Sequence, residues 1–325
     1  LGIHAMPTAV MAFGESAGAV GELVGAPHQG LAAMFAMMNA ARLAIGLQGV
    51  AIAERAFQLA RAYARQRIQG RDADGKPVAI VEHGDVRRML LAMKAKTEAA
   101  RALAYYVAGQ GDLGRQPGAE GGACRDRVDL LTPVVKAWCS DVGIEVADTG
   151  VQVHGGAGYI EETGAAQLLR DGRIAAIYEG TNGIQARDLV ARKVRRDGGA
   201  ATRAFIAMAR DDLRTLRPAE GEAALSGPAE RGLDCLEMAT IWLTDRADEA
   251  AALAVATPYL RLMGIAAGGW LSARGGIVAA RRGGLAGKVA AARFFAGHVA
   301  GESDGLARIV TTGAPAILGA APDLL

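Results

Sequence analysis

The stretch Leu31-Ala-Ala-Met34-Phe35-Ala-Met-Met38-Asn39-Ala-Ala41-Arg42-Leu43-Ala-Ile45-Gly-Leu47-Gln-Gly-Val50-Ala-Ile52 opens a run whose reading decides the fold. Met38, Ile45, Ile52 and Leu59 recur every seven residues, and Met34, Ala41, Ala56 and Tyr63 fill the turns between them, which predicts one long helix over residues 31–69. Leu31, Phe35, Leu47, Val50 and Phe57 lie off that stripe. Two apolar faces imply a helix packed on both sides, in a bundle or an oligomer core. Gly70, Asp72, Asp74 and Gly75 then read as a turn, with Pro77 as a stop. Val86, Leu90, Met93, Ala100, Leu103 and Val107 predict a second helix over 86–107, followed by a flexible glycine-rich excursion over 109–126. Thr132 reads as an N-cap with Pro133 at the first position of a third helix, which carries Val134, Val135, Trp138, Val142 and Val146 to about 150. A glycine-rich loop at 154–158, a short helix over 163–170 and a helix over 182–196 follow. Beyond the boundary Asp197-Gly-Gly199, helices are expected over 201–216, 229–254, 258–280 and 286–300, with Pro228 and Thr257-Pro258 marking two starts and the last twenty residues only partly ordered. Residues 1–25 read as strands, because Ala9-Val-Met-Ala-Phe13 is bounded by Pro7 and Gly14, and a weaker run follows over 18–25. The expected class is all-α: an up-and-down helical bundle, preceded by a short β remnant and followed by a second helical bundle.

Composition narrows the function classes. The chain has 325 residues, 51% hydrophobic but only 5% aromatic, so aliphatic side chains must build the core. Its 36 basic and 34 acidic residues give a net charge of +2, which argues against a nucleic-acid footprint. Cys124, Cys139 and Cys235 are far apart and form no Cys-x-x-Cys pair, so neither a disulfide framework nor a metal site is expected, and a cytoplasmic location is the default. No run of eighteen apolar residues stands in the sequence, so no membrane span is expected, and no signal peptide is recognised. The chain begins at Leu1, which reads as a fragment or a processed product.

The chemistry concentrates in Ala176-Ile-Tyr-Glu-Gly-Thr-Asn-Gly-Ile-Gln185. One carboxylate, Glu179, stands between Tyr178 and Gly180. Ile174, Ala175, Ala176 and Ile177 would exclude water, and a poorly solvated carboxylate is a stronger base. Gly180 would let a substrate lie against the backbone. Thr181 can cap the helix that follows, whose N-terminus favours an anion. A solvated glutamate in a helix-entry turn is the plainer reading of these ten residues.

Upstream stand Gln152-Val-His-Gly-Gly-Ala-Gly-Tyr159 and Leu169-Arg-Asp171. In this order and spacing, residues 1–200 resemble the acyl-CoA dehydrogenase flavoenzymes, C-terminal portion. Among them the chain looks most like the branch with an extra C-terminal helical region, which includes the 3-methylmercaptopropionyl-CoA dehydrogenases. The resemblance implies three parts: residues 1–28 as the end of a middle β-domain, 29–198 as the C-terminal helical bundle, and 199–325 as an additional helical domain. It implies FAD-dependent oxidation of an acyl-CoA thioester to the 2-enoyl form, electrons passing to an electron-transfer flavoprotein, and a homo-oligomer, dimer or tetramer. As a C-terminal fragment, the chain would be inactive alone.

The resemblance assigns roles by position. Glu179 matches the glutamate that removes the proton α to the thioester carbonyl, and its backbone N–H would polarise the thioester oxygen. Arg42 would lie near the catalytic pocket, and Ala41 before it leaves no competing carboxylate there. Tyr178 and Gly180 would face substrate. Arg67 and Gln69, at the end of the first helix, would contact cofactor, Arg67 through the pyrophosphate. The family often has Phe-Gly after that arginine, where this chain has Ile-Gln-Gly70. Gln152, Gly155 and Gly156 match a cofactor-binding loop, and Thr181 and Asn182 match positions near the flavin. Gly183 stands where the family commonly has Gln. His154 is expected to pack, and Arg170 with Asp171 to form an ion pair under the turn. The alternative function is a non-catalytic helical scaffold or nucleic-acid-binding module on the same fold.

Overall fold

The computed structural model describes residues 1–216, 219, 222–321 and 323, without the side chains of residues 35 and 36. Three long helices form the frame: α1 (Gly30–Gln66), α2 (Gly84–Leu113) and α3 (Ala119–His154). Between α1 and α2, strands β1 (Ile68–Arg71) and β2 (Pro77–Ala79) pair antiparallel. After α3 come the single turn α4 (Gly156–Tyr159), then α5 (Ala165–Arg173) and α6 (Asn182–Asp188), which widens into π-helical turns over Leu189–Val194. The second half is α7 (Ala200–Thr215), α8 (Ala223–Asp245), α9 (Glu249–Ala254), α10 (Ala256–Arg282), α11 (Ala286–Phe294), α12 (Glu302–Thr312) and α13 (Ala314–Leu318). The all-α expectation holds, and one hydrophobic core runs from Val50 on α1 to Ala314 on α13.

The closest helix contact is between α1 and α3, and small residues make it. A Cβ on Gly49 would stand 2.3 Å from the carbonyl oxygen of Cys139, and one on Gly143 would stand 2.7 Å from that of Gly49. The backbones therefore touch, which only glycine permits. Gly46 meets Val135, Gly49 meets Cys139 and Gly150 meets Ala56, so residue numbers rise together and the two helices run parallel. The core-facing row of α1 is accordingly Val50, Ala53, Ala56, Phe57, Ala60 and Ala64. The heptad stripe Met38, Ile45, Ile52 and Leu59 is only half-buried. Ile52 covers Gly172 of α5. Leu31, Met34 and Met37 at the start of α1 are exposed, and Phe35 lies outside the described side chains.

The second half braces α3. Trp138 is 5% exposed and rests where a Cβ on Gly264 or Gly268 of α10 would collide with its ring, at 2.4 and 2.6 Å. Trp270 of α10 donates its indole N–H to Asp212 at 2.8 Å and meets the Tyr106 and Phe205 rings edge-on. Arg195 donates to the carbonyls of Leu243 and Ala247 at 2.5 and 2.7 Å, joining the end of the π-helical segment to the end of α8.

Several local expectations are corrected. Residues 1–29 contain no strand; their apolar side chains are exposed apart from half-buried Ile3, where the segment is held by its N–H donating to Asp171 at 2.5 Å. The first helix ends at Gln66 rather than 69, because Ile68–Arg71 pairs with Pro77–Ala79 across a turn in which Asp72 accepts from the N–H groups of Asp74 and Lys76. The excursion over 109–126 shrinks to residues 114–118, since α2 runs on to Leu113 and α3 starts at Ala119. Pro133 therefore lies inside α3, where burial against α1 holds the helix through the lost N–H. Pro228 likewise lies inside α8, and the expected helix over 229–254 breaks at 246–248. The tail expected to be partly ordered forms α12 and α13; residues 322, 324 and 325 lie outside those described. Apart from these corrections, α1 and α10 are by length and composition apolar enough to cross a membrane, with mean hydropathies of 1.5 and 1.2 over 18 residues, a property that a buried core helix shares. Within this bundle 78% of the α10 window is buried, and 12% of the α1 window.

The α1–α3 contact is directly testable. Gly49→Ala places a methyl where the Cys139 carbonyl lies, so it should lower unfolding free energy by about 1–3 kcal/mol. Ala51→Gly, on the exposed side of the same helix, should cost only about 1 kcal/mol. Chemical denaturation of the two variants measures both.

Candidate functional site

The turn from Ile174 to Thr181 crosses α1 and α3 where they touch. A short 3-10 turn, Ile174–Ala176, delivers the chain from α5, and Thr181 restarts the helix by accepting from the N–H of Ile184 at 3.4 Å. Between them Glu179 and Gly180 both have positive φ, +56° and +84°. For glutamate the left-handed region costs about 1 kcal/mol. Gln185 offsets this cost. It is fully buried, and its amide Nε2 donates to the carbonyls of Glu179 at 3.2 Å and Gly180 at 3.4 Å. A Cβ on Gly180 would stand 2.8 Å from that nitrogen.

Two further side chains pin the turn. The Tyr178 hydroxyl donates to Oε1 of Gln48 on α1. Lys136, in the middle of α3 and wholly buried, donates from Nζ to the Gly180 carbonyl at 2.7 Å and to Asn182 Oδ1 at 2.9 Å. Asn182 Nδ2 donates in turn to Asp141 at 2.7 Å, Ser140 at 3.0 Å and the Ala137 carbonyl at 3.2 Å. Desolvation pulls the Lys136 ammonium down to about 8, against the charges of Asp141 and Glu179. Desolvation pushes the Asp141 carboxyl up, although Asn182, Arg261, Lys136 and Arg173 oppose it. Above this network the half-buried Glu179 carboxylate has no hydrogen-bond or ion-pair partner among the described residues.

The expected site residues fall into separate places. Tyr178, Glu179, Gly180, Thr181 and Asn182 share the turn. Arg42 is 9% exposed and lies at the far end of α6, where it meets Asp188 at 3.5 Å and Asn39 at 3.3 Å. Its Nε is buried without a partner, and no bond joins it to Glu179 among the described residues. Arg67, Gln69, Gln152, Gly155 and Gly156 gather at the other end, where α1 and α3 terminate side by side and the Tyr63 and His154 rings stand 4.5 Å apart. Gln152 lies eleven residues beyond Asp141 on α3, so this group is about 16 Å from the turn. All five are exposed. Gln69 sits in β1, not on the helix, and its carbonyl bonds the His83 ring at 2.7 Å.

Three readings change at this level. Asn182 has both ends of its amide engaged by α3, so its side chain holds the turn rather than facing a ligand. Arg170 pairs with Glu161, not with Asp171, whose oxygens accept from Ile3 and Gln167. Of the apolar residues before Glu179, Ala175 is buried but Ile177 is 46% exposed. His154 packs as expected, its Nδ1 2.6 Å from the Gly150 carbonyl. Sequence reasoning missed Lys136, Gln185, Gln48 and Asp188. For Lys136 a signal existed: it is the one charge in the run over 130–139.

Comparison with known proteins gives this geometry a family. The family described as "Acyl-CoA dehydrogenase, C-terminal domain" matches residues 28–194. "Acetyl-CoA dehydrogenase C-terminal like" matches residues 200–321. The 3-methylmercaptopropionyl-CoA dehydrogenase of Ruegeria pomeroyi is 44% identical over 96% of this chain and 55% of its own length. A butyryl-CoA dehydrogenase of Syntrophomonas wolfei is 37% identical over 59% of this chain and 33% of its own. The chain thus spans about half or less of the length of these relatives. Two solved structures share the fold. The acyl-CoA dehydrogenase complexed with FAD from Bacillus anthracis superposes with a TM-score of 0.67 at 21% identity, over 91% of this chain and 51% of that one. Caenorhabditis elegans ACDH-11 in complex with C11-CoA gives 0.68 at 20%, over 83% and 44%. The chain belongs to the acyl-CoA dehydrogenase family.

Proposed function

We propose that this chain is the helical C-terminal part of an FAD-dependent acyl-CoA dehydrogenase, and that Glu179 takes the proton α to the thioester carbonyl. The observation that carries the reading is the Glu179 carboxylate. It is half-buried and has no partner among the described residues, on a backbone turn that costs energy and is tied from two helices. Such an arrangement adds nothing to stability that a solvated glutamate would not, and it holds a base in one place. Removal of the α proton to Glu179 and loss of a hydride from the β carbon leaves the 2-enoyl thioester. Bound FAD supplies the two-electron acceptor for that hydride. Tyr178, fixed by Gln48, and Gly180, without a side chain, would lie along the thioester. The N–H of Glu179 would donate to its carbonyl oxygen, where negative charge grows as the proton leaves.

The residues at the far end fit an anionic cofactor. The Arg67 guanidinium has no partner among the described residues, and a Cβ on Gly155 or Gly156 would meet nothing within 4 Å. This open, cationic end would hold the FAD phosphates through Arg67, Gln69, Gln152 and the two glycines. Near the flavin, Thr181 and the backbone of Asn182 remain as contacts. Residues 29–198 and 199–325 act as site and brace on one core, and exposed Leu31, Met34 and Met37 of α1 suit a homo-oligomer contact. An electron-transfer flavoprotein would take the electrons onward. Free, buried Cys124, Cys139 and Cys235 accord with the cytoplasm.

Two experiments address this reading. The complete flavoprotein should lose its yellow absorbance with butyryl-CoA or 3-methylmercaptopropionyl-CoA. Glu179→Gln should slow that loss by at least about 10²-fold, since a positioned general base contributes 10²–10⁴-fold. Unchanged bleaching in Glu179→Gln would remove Glu179 as the base. Gly180→Ala, which strains a positive φ and crowds Gln185, should lower stability by about 1–3 kcal/mol and slow bleaching as well; denaturant titration beside the bleaching assay reads both.

A further inference from the structure

We infer that Lys136 is a positioning residue for Glu179: its buried ammonium, bonded to the Gly180 carbonyl and to Asn182, fixes the turn that aims the carboxylate. This rests on Glu179 being the proton acceptor. The argument begins with geometry. Glu179 and Gly180 hold consecutive positive φ values, and the peptide that follows them has its oxygen turned into the bundle. A carbonyl buried there needs a donor, or its desolvation disfavours the turn. Gln185 supplies one long bond at 3.4 Å; Lys136 supplies the short one at 2.7 Å. The same ammonium fixes Asn182 Oδ1 at 2.9 Å, so one cation holds the residues on both sides of Thr181.

The surroundings show why a lysine is needed here. Lys136 stands on the face of α3 that also carries Thr132, Pro133, Ser140 and Gly143, all buried. A charge placed there costs several kcal/mol unless it is paired. The groups that influence it are Asp141 on α3, Arg42 on α1 and Glu179 on the turn. Asp141 is reached only through Asn182, at 2.7 Å. An apolar side chain of the same length would fill the same space but leave the Gly180 carbonyl and Asn182 Oδ1 without this donor. What such a side chain lacks is the bond to Gly180, and with it the direction of the Glu179 carboxylate. Catalysis is sensitive to that direction, since about 1 Å of misplacement can lower a rate 10²-fold.

The test uses Lys136→Met, Asn182→Ala and Glu179→Gln in the complete flavoprotein, with butyryl-CoA and 3-methylmercaptopropionyl-CoA as probes. Lys136→Met is expected to lower kcat by about 10²-fold with KM within about threefold. Without thioester, amide hydrogen exchange over residues 177–183 should quicken by at least about tenfold, while α2 and α10 exchange as in the wild type. If Lys136→Met does not fold, Asn182→Ala, which takes away one acceptor and leaves the Gly180 bond, decides by the same readouts with smaller changes. Wild-type kcat in the folded variant, or exchange that quickens throughout the bundle, overturns the positioning role. Glu179→Gln separates the two claims. Loss of turnover there beside an unaffected Lys136→Met overturns only the role of Lys136, and full turnover in Glu179→Gln overturns the base assignment itself.

Discussion

The Lys136 ammonium lies in the middle of α3, shut off from water, with the Gly180 carbonyl at 2.7 Å and Asn182 Oδ1 at 2.9 Å. The other features of the turn depend on it. The left-handed φ values of Glu179 and Gly180 are unfavourable for the glutamate, though not for the glycine. They persist because Lys136 and Gln185 satisfy the inward carbonyls, and Tyr178 is tied to Gln48 on the opposite side. Reaching those partners requires α1 and α3 to touch at Gly49 and Gly143. With larger residues there, the helices would separate and Gln48 and Lys136 could not grip the same short turn. The small residues of α1 thus act on the site through distance, although none of them enters it.

Residues 200–318 contribute rigidity to the same layer. Trp138 lies two residues beyond Lys136 and is clasped by Gly264 and Gly268 of α10. The indole of Trp270 is fixed in turn by Asp212, itself paired with Arg274 at 2.5 Å. A side chain on α3 can hold a turn in place only if α3 itself does not move. An aromatic anchor against a glycine-lined helix face resists sliding more strongly than an aliphatic contact of equal area, because the ring and the groove fit in one register. The second half therefore stiffens the helix that carries Lys136, Ser140 and Asp141.

Much of this was legible in the sequence. Seven-residue spacing on α1 and the apolar rows of α2 and α3 gave the helices. The order Gln152, Gly155, Gly156, then Tyr178 to Asn182 gave the family. Less legible was what lies between helices. The two apolar faces of α1 suggested packing on both sides, whereas the stripe Met38, Ile45, Ile52 and Leu59 is only half-buried and the buried row is Val50, Phe57 and mostly small residues, because contact at backbone distance leaves little room for large side chains. Pro133 read as a helix start, since a local rule does not register that burial on both sides can carry a helix through a missing N–H. The strands expected over residues 1–25 did not form, as a short apolar run bounded by turns has no partner to pair with. Within the site, the residues on the turn were found and those beneath it were not. Lys136 and Gln185 lie 49 residues apart in sequence and converge on the Gly180 carbonyl only when α6 docks on α3, so no local pattern connects them.

The central claim is that Glu179, held by this turn, removes a proton from carbon. The most direct measurement is exchange of the α hydrogens of butyryl-CoA with D2O, followed by NMR in the complete protein under conditions that prevent electrons from leaving the site. The account predicts steady deuterium incorporation at the α carbon in the wild type and none above background in Glu179→Gln. Equal incorporation in both would contradict it, because the proton would then be going to another base.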